Sequence, residues 1–135
     1  MKKTLPLLIV FIFMAACQTR TGEVPADIQD YSQPVAENIL TSLENDDFAS
    51  FQRDFSETMR SAIDESTFTS IQQTILNSFG KFQSLTYQQT TLEDGYLISY
   101  YSLSFEKGDI SLRLVLSPEA PYQVEGFWFP DFPTE

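Results

Sequence analysis

The sequence predicts an α+β domain: helices first, then a four-stranded antiparallel meander whose one face they cover. Two observations carry this expectation. Between Pro34 and Phe79 apolar residues recur at three- and four-residue spacing, and after Gly80 the period changes to two. Turn residues at Asp94-Gly95, Lys107-Gly108 and Ser117–Pro121 then divide the second half into strands of hairpin length.

The first helix is expected from Pro34, whose fixed φ suits a first helical turn, with Val35, Ile39, Leu40 and Leu43 on its apolar side. Asn45-Asp46-Asp47 stops it and offers a cap to a short helix carrying Phe48 and Phe51. Ser56 with Glu57 opens another short helix through Met59, Ala62 and Ile63. Ser66 is the expected cap of the longest one, whose stripe is Phe68, Ile71, Ile75, Leu76 and Phe79 and whose end is Gly80.

In the strands, Leu97, Tyr101, Leu103 and Phe105 alternate, as do Ile110, Leu112, Leu114 and Leu116. A two-residue Lys107-Gly108 turn would set Leu103 opposite Leu112 and Tyr101 opposite Leu114. The Ser117–Pro121 turn would then bring Val124 to Leu114 and Trp128 to Ile110, both inside. The first hairpin has two solutions. A two-residue Asp94-Gly95 turn buries Thr86 and Gln88 and exposes Leu85 and Tyr87; a three-residue Glu93-Asp94-Gly95 turn pairs Tyr87 with Tyr101 but points Leu92 away from the helices. The second is preferred.

Ahead of the domain, Met1-Lys2-Lys3 is followed by an apolar run from Leu5 to Ala16, too short for a span of ~20 residues and suited to a signal peptide. It ends Met14-Ala15-Ala16-Cys17, which resembles the lipobox of bacterial lipoproteins, with Met14 where Leu is usual. The resemblance implies a signal peptide at 1–16, fatty acyl chains of the palmitate kind on Cys17, and attachment to a membrane on its extracytoplasmic side. Two chains make such attachment stable, at ~0.8 kcal/mol per buried methylene. Cys17 is the only Cys, so acylation leaves no thiol or disulfide chemistry. Residues 17–33 read as a polar tether reaching about 20–25 Å, and 34–135 as a single domain.

Without residues 1–16, the basic residues fall from 8 to 6 against 19 acidic ones, a net charge of −13. Such a chain is repelled by nucleic acid and by anionic head groups, so no nucleic acid is expected as a partner.

Glu37-Asn38-Ile39-Leu40, Asp46-Asp47-Phe48, Asp54-Phe55-Ser56-Glu57-Thr58-Met59, Phe79-Gly80-Lys81-Phe82 and Val124-Glu125-Gly126-Phe127-Trp128-Phe129 follow one another in an order that resembles domain of unknown function 3887. The resemblance runs from about Val35 to Phe129. It implies a fold similar to nuclear transport factor 2, a curved sheet wrapped on helices into a cone, in an exported protein or lipoprotein. It implies no activity.

The chain contains no His, which removes the commonest general base and transition-metal ligand. No phosphate-binding Gly loop is present. Glu44-Asn45-Asp46-Asp47 lacks the glycine and distal Glu of a calcium loop and reads as a capped turn. No metal, cofactor or catalytic residue is expected, and the chain reads as non-enzymatic. Relatives of the cone fold include ketosteroid isomerase, which uses an Asp base and a Tyr donor; a small proton-transfer enzyme of that kind is the alternative, and a purely structural envelope component is another. The candidate pocket-lining residues are Tyr87, Gln89, Thr91, Ser99, Tyr101 and Trp128. The opposite face would present Ile98, Tyr100, Val115, Phe127 and Phe129, with Arg113 paired to Glu125. Large apolar patches mark interfaces, so the expected partners are an envelope protein, a small apolar ligand, or a second copy meeting this face.

Overall fold

A computed structural model describes residues 22–132. The signal segment 1–16 and Cys17 lie outside the described residues. Helices α1 (Ile28–Asn45), α2 (Phe48–Phe51), α3 (Glu57–Ala62) and α4 (Glu65–Phe79) precede strands β1 (Phe82–Glu93), β2 (Tyr96–Phe105), β3 (Gly108–Leu116) and β4 (Val124–Trp128). The strands form one antiparallel sheet in the order β1-β2-β3-β4. The α+β expectation is therefore met.

Helix α1 starts earlier than Pro34 suggests, so residues 28–33, expected as tether, are helical. Proline lacks the N–H that would bond one turn back, yet the helix continues upstream because its first turns are buried. Ile28 and Ser32 extend the stripe of Ala36, Ile39, Leu40 and Leu43. At the other end Asp46 adopts a left-handed φ of 57°, and the Asp47 N–H reaches back to Ser42 O at 2.9 Å.

Two carboxylates and one hydroxyl then cap the next three helices. Asp47 accepts from the Ser50 N–H at 3.0 Å, Ser56 from Met59 at 3.2 Å, and Asp64 from Thr67 at 2.8 Å. Asp64, two residues before the expected Ser66, is the cap of α4. The bonds from Ser50 and Thr67 hold the Asp47 and Asp64 carboxyls below the ordinary aspartate range. A depressed folded-state pKa gives stability that is present above the unfolded value and lost as pH falls through the folded one. An Asp47→Asn/Asp64→Asn variant, which keeps cap acceptors without a proton to bind, should therefore lose less Tm than the wild type between about pH 5 and pH 3. Parallel losses in a melting series would show that these caps carry no proton linkage.

The meander departs from the expected register at three places, each for a physical reason. In the first hairpin Glu93 pairs with Tyr96, so the turn is Asp94-Gly95, both with positive φ (49° and 83°). A bulge between Tyr87 and Gln89 then shifts the phase by one residue, so Tyr87 still pairs with Tyr101. Turn and bulge together reconcile the two readings of this hairpin. Leu92 pairs with the buried Leu97 and packs on the core, Thr90 pairs with Ser99, and Gln89 and Thr91 belong to the outer face. In the second hairpin Phe105 pairs with Gly108, so the turn is Glu106-Lys107 and Leu103 faces Ile110 rather than Leu112. The turn amides are held by Lys81 O and Phe79 O, each at 3.0 Å, which fixes the turn to the end of α4. The slip is two residues, so no side chain changes face.

The third departure combines a two-residue slip, which sets Val124 opposite Leu116 rather than Leu114, with a one-residue bulge. Leu116 pairs with Val124 and Val115 with Gly126, leaving Glu125 as a bulge. Val124 is fixed from the other side by its N–H to Asp54 O (2.8 Å) and by its carbonyl, which accepts from the Ser56 N–H (2.9 Å). The phase therefore reverses beyond Glu125. Phe127 aligns with Leu114, and Trp128 aligns with the outward Arg113.

The core joins Ile39, Leu40, Leu43, Phe51, Phe55, Phe68 and Ile75 to the inward row of Leu97, Tyr101, Leu103, Leu112 and Leu114. The C-terminal turn closes one end: Phe132 stacks on Phe79 at 5.7 Å and on Phe129 at 4.9 Å, while the Asp131 carboxylate accepts the Ser111 N–H at 2.6 Å.

Candidate functional site

The polar groups that are candidates to line a pocket beneath the helices, or else to satisfy one another, bond to one another. Tyr101, fully buried on β2, shares a 2.5 Å hydrogen bond with Ser32 of α1. Tyr87 donates to Thr90 Oγ1 at 2.9 Å, and Thr90 Oγ1 lies 2.8 Å from Ser99 Oγ. The two tyrosine rings meet edge to face at 5.6 Å. Burial pushes the Tyr101 hydroxyl up to about 12, against the opposing pull of its bond to Ser32. Tyr87, Ser99 and Tyr101 are thus brought together, with Ser32 and Thr90 in place of the expected Gln89 and Thr91. A hollow of about 10 Å³ between α1, α4 and the start of β1 has room for about one water-sized sphere.

Trp128 is not in this group. The Glu125 bulge turns it outward, where it is 43% exposed. The same bulge removes Phe127 and Phe129 from the outer face. Phe127 packs on Phe51 at 5.7 Å and on Phe55 at 6.0 Å, and Phe129 is buried. Ile98, Tyr100 and Val115 are on the outer face as expected, and Trp128 takes the place of the two phenylalanines.

This face is organised around Arg113. Its guanidinium carbon lies 4.4 Å from the Trp128 ring centre and 5.3 Å from that of Tyr100, within the range of cation–π attraction. Its partner is Glu93 at 3.2 Å, not the expected Glu125, whose carboxylate is held by Ser56 Oγ at 2.8 Å. Glu93 also accepts from Thr91 (2.7 Å) and Tyr100 (3.0 Å). Those two hydroxyls, and then the charge of Arg113, hold its carboxyl below the usual range. The Arg113 Nε is buried and has no hydrogen-bond partner among the described residues. Ile98, on a sheet face that no helix of the described residues covers, is only 6% exposed, while Tyr96 beside it is 44% exposed. The arrangement can bind by stacking, by apolar contact and through an ordered cation.

A family model described as protein of unknown function (DUF3887) matches residues 36–127. The chain belongs to this family. No curated protein matches it. The DUF3887 span takes in Tyr87, Thr90, Ser99, Tyr101 and Arg113, with Ser32 and Trp128 just outside it. Among the described residues no helix is long and apolar enough to cross a membrane, and no group of His, Cys, Asp and Glu is placed to hold a metal.

Sequence reasoning missed Ser32, Thr90 and the outward Trp128. Ser32 had a signal: it lies four residues before Ala36 and four after Ile28, on the buried stripe. Thr90 is placed by the two-residue Asp94-Gly95 turn, and the Glu125 bulge that turns Trp128 outward leaves no periodic trace.

Proposed function

We propose that this protein is a lipid-anchored, extracytoplasmic interaction module of the cell envelope, non-enzymatic, with a fold similar to nuclear transport factor 2, and that it associates through its outer sheet face. The observation that carries the reading is the Trp128–Arg113–Tyr100 stack beside Tyr96, Ile98 and Val115. An exposed Trp and a half-buried Tyr stacked on one Arg, with the exposed Tyr96 beside them, have the composition of an interface centre. Helices on one face of a bulged four-stranded meander support the fold comparison.

A second copy of the chain is the partner that charge favours. The protein is strongly acidic, and copies repel wherever acidic surfaces meet. Around Trp128 this face carries Arg113 and Glu93, one charge of each sign, so a twofold axis passing between them would set each against its opposite. Sedimentation of the domain at tens of micromolar should show a dimer, with Trp emission shifting on dilution. Trp128→Ala should weaken association at least about tenfold while leaving the melting temperature of the dilute monomer nearly unchanged, because that ring is half in solvent. A monomer at every concentration, or dimers indifferent to both Trp128→Ala and Arg113→Glu, would overturn the docking face.

The anchor has its own support and its own test. Cys17 follows a short apolar run and two alanines, and a charge of −13 after cleavage keeps the domain off anionic lipid. A Cys17→Ala precursor should lose partitioning with membranes after cell fractionation. Full retention would remove lipidation from the proposal and leave the docking face untouched.

A further inference from the structure

The opposite side of the sheet ends in an open strand. β1 is an edge strand: among the described residues it pairs with β2 alone. It is long, Phe82–Glu93, and has no charge and no proline between Lys81 and Glu93, the devices that usually blunt an edge. Bulges at Gln83 and Gln88 interrupt it and leave Ser84–Tyr87 as a regular stretch. Next to that stretch runs a surface groove of about 350 Å³, formed by Glu37 and Thr41 of α1 on one wall and the consecutive residues Phe82, Gln83, Ser84 and Leu85 on the other. A second groove, of about 260 Å³, continues along α1 through Glu37 to Asp30.

The helix wall is acidic and unbalanced. Asp30, Glu37 and Glu44 recur every seven residues, which puts them on one stripe at intervals of about 10 Å, and α1 contains no Lys or Arg. Glu37 receives one amide bond, from Gln33 at 3.2 Å, and no cation among the described residues. Lys81, at the start of β1, is the single basic residue of the segment 80–92. A short backbone edge with a half-apolar groove beside it, walled by carboxylates, matches an added strand whose main chain pairs with β1 and whose alternate side chains reach across to α1.

We propose that the outer edge of β1 at Ser84–Tyr87, with the acidic groove along α1, is a docking site for an extended segment of another protein that carries Lys or Arg at alternate positions. The bulges limit pairing to about four residues, which keeps the edge from templating longer self-association and makes the docking weak and reversible. This surface is separate from the Trp128 face, and its occupancy does not depend on dimerisation.

The test uses the whole domain and an acetylated heptapeptide alternating Val and Lys, with a Val/Glu counterpart and a Val/Lys version N-methylated on alternate residues. The Val/Lys peptide should shift the amide resonances of Ser84–Tyr87, with binding weakened several-fold between low and high salt. A Glu37→Lys/Glu44→Lys variant should bind about tenfold more weakly, and both control peptides should bind at least tenfold more weakly to the unaltered domain. Absence of shifts at millimolar peptide, shifts centred on Trp128, or equal binding of the Glu or N-methylated peptide would each overturn the proposal.

Discussion

Phe51→Ala should lower the stability of the domain by about 3–5 kcal/mol, a fall in Tm of at least about 12 °C for a domain of this size. Phe51 is the one buried residue of α2, a helix of four residues that has little stability of its own. Its ring meets Phe55 at 5.0 Å, Phe68 at 4.9 Å and Phe127 at 5.7 Å. One side chain thus ties α2 to α4, to β4 and to the loop that fixes Val124. Removing it leaves a cavity walled by three other segments, and the loop held by hydrogen bonds to β4 cannot collapse freely into the space. Urea and thermal melts measure the effect. A loss below about 1 kcal/mol would mean that the surrounding rings refill the site and that the aromatic cluster is not what holds the helices to the sheet.

The next largest effect should come from the Ser32–Tyr101 pair, and its sign pattern is more telling than its size. Tyr101→Phe leaves the Ser32 hydroxyl buried without a partner, and Ser32→Ala strands the tyrosine hydroxyl, so each should cost about 1–3 kcal/mol. The double variant removes both polar groups and should cost clearly less than the sum of the two. A double-mutant cycle on equilibrium unfolding tests this. Additive losses would show that the two hydroxyls do not depend on each other, and that the first turns of α1 are held by Ile28 alone.

What the sequence made legible was whatever repeats. The stripe of Phe68, Ile71 and Ile75, the alternation of Leu97, Tyr101 and Leu103, and the pause at Gly80 each recur at a fixed spacing, and the burial of the apolar set follows. The start of α1 was hidden because Pro34 is a local signal for a helix start, whereas Ile28 and Ser32 answer to tertiary burial and a hydrogen bond to a strand 69 residues away. The site was less legible than the fold for a related reason. Its members were decided by two one-residue irregularities, at Gln88 and Glu125, and an irregularity has no period. At Gln88 the cost was small, since the bulge keeps Tyr87 inside and the two-residue turn only exchanges Gln89 for Thr90, both polar. At Glu125 it exchanged Trp128 for Phe127 and Phe129, because three successive aromatic residues fit either face equally well.

That last strand stores the character of the protein's surface in an unusual way. Phe127-Trp128-Phe129 is a message that can be read in two frames, and Glu125 is the spacer that selects one. The spacer is clamped: Ser56 holds its carboxylate, and Asp54 and Ser56 hold the backbone of Val124 before it. Substitutions along the strand would alter the outer face by degrees. The gain or loss of one residue near Glu125 would exchange inside for outside at once, giving a relative with the same composition and the same helices but a different recognition surface. Within this fold, partner choice can therefore change through length as readily as through chemistry.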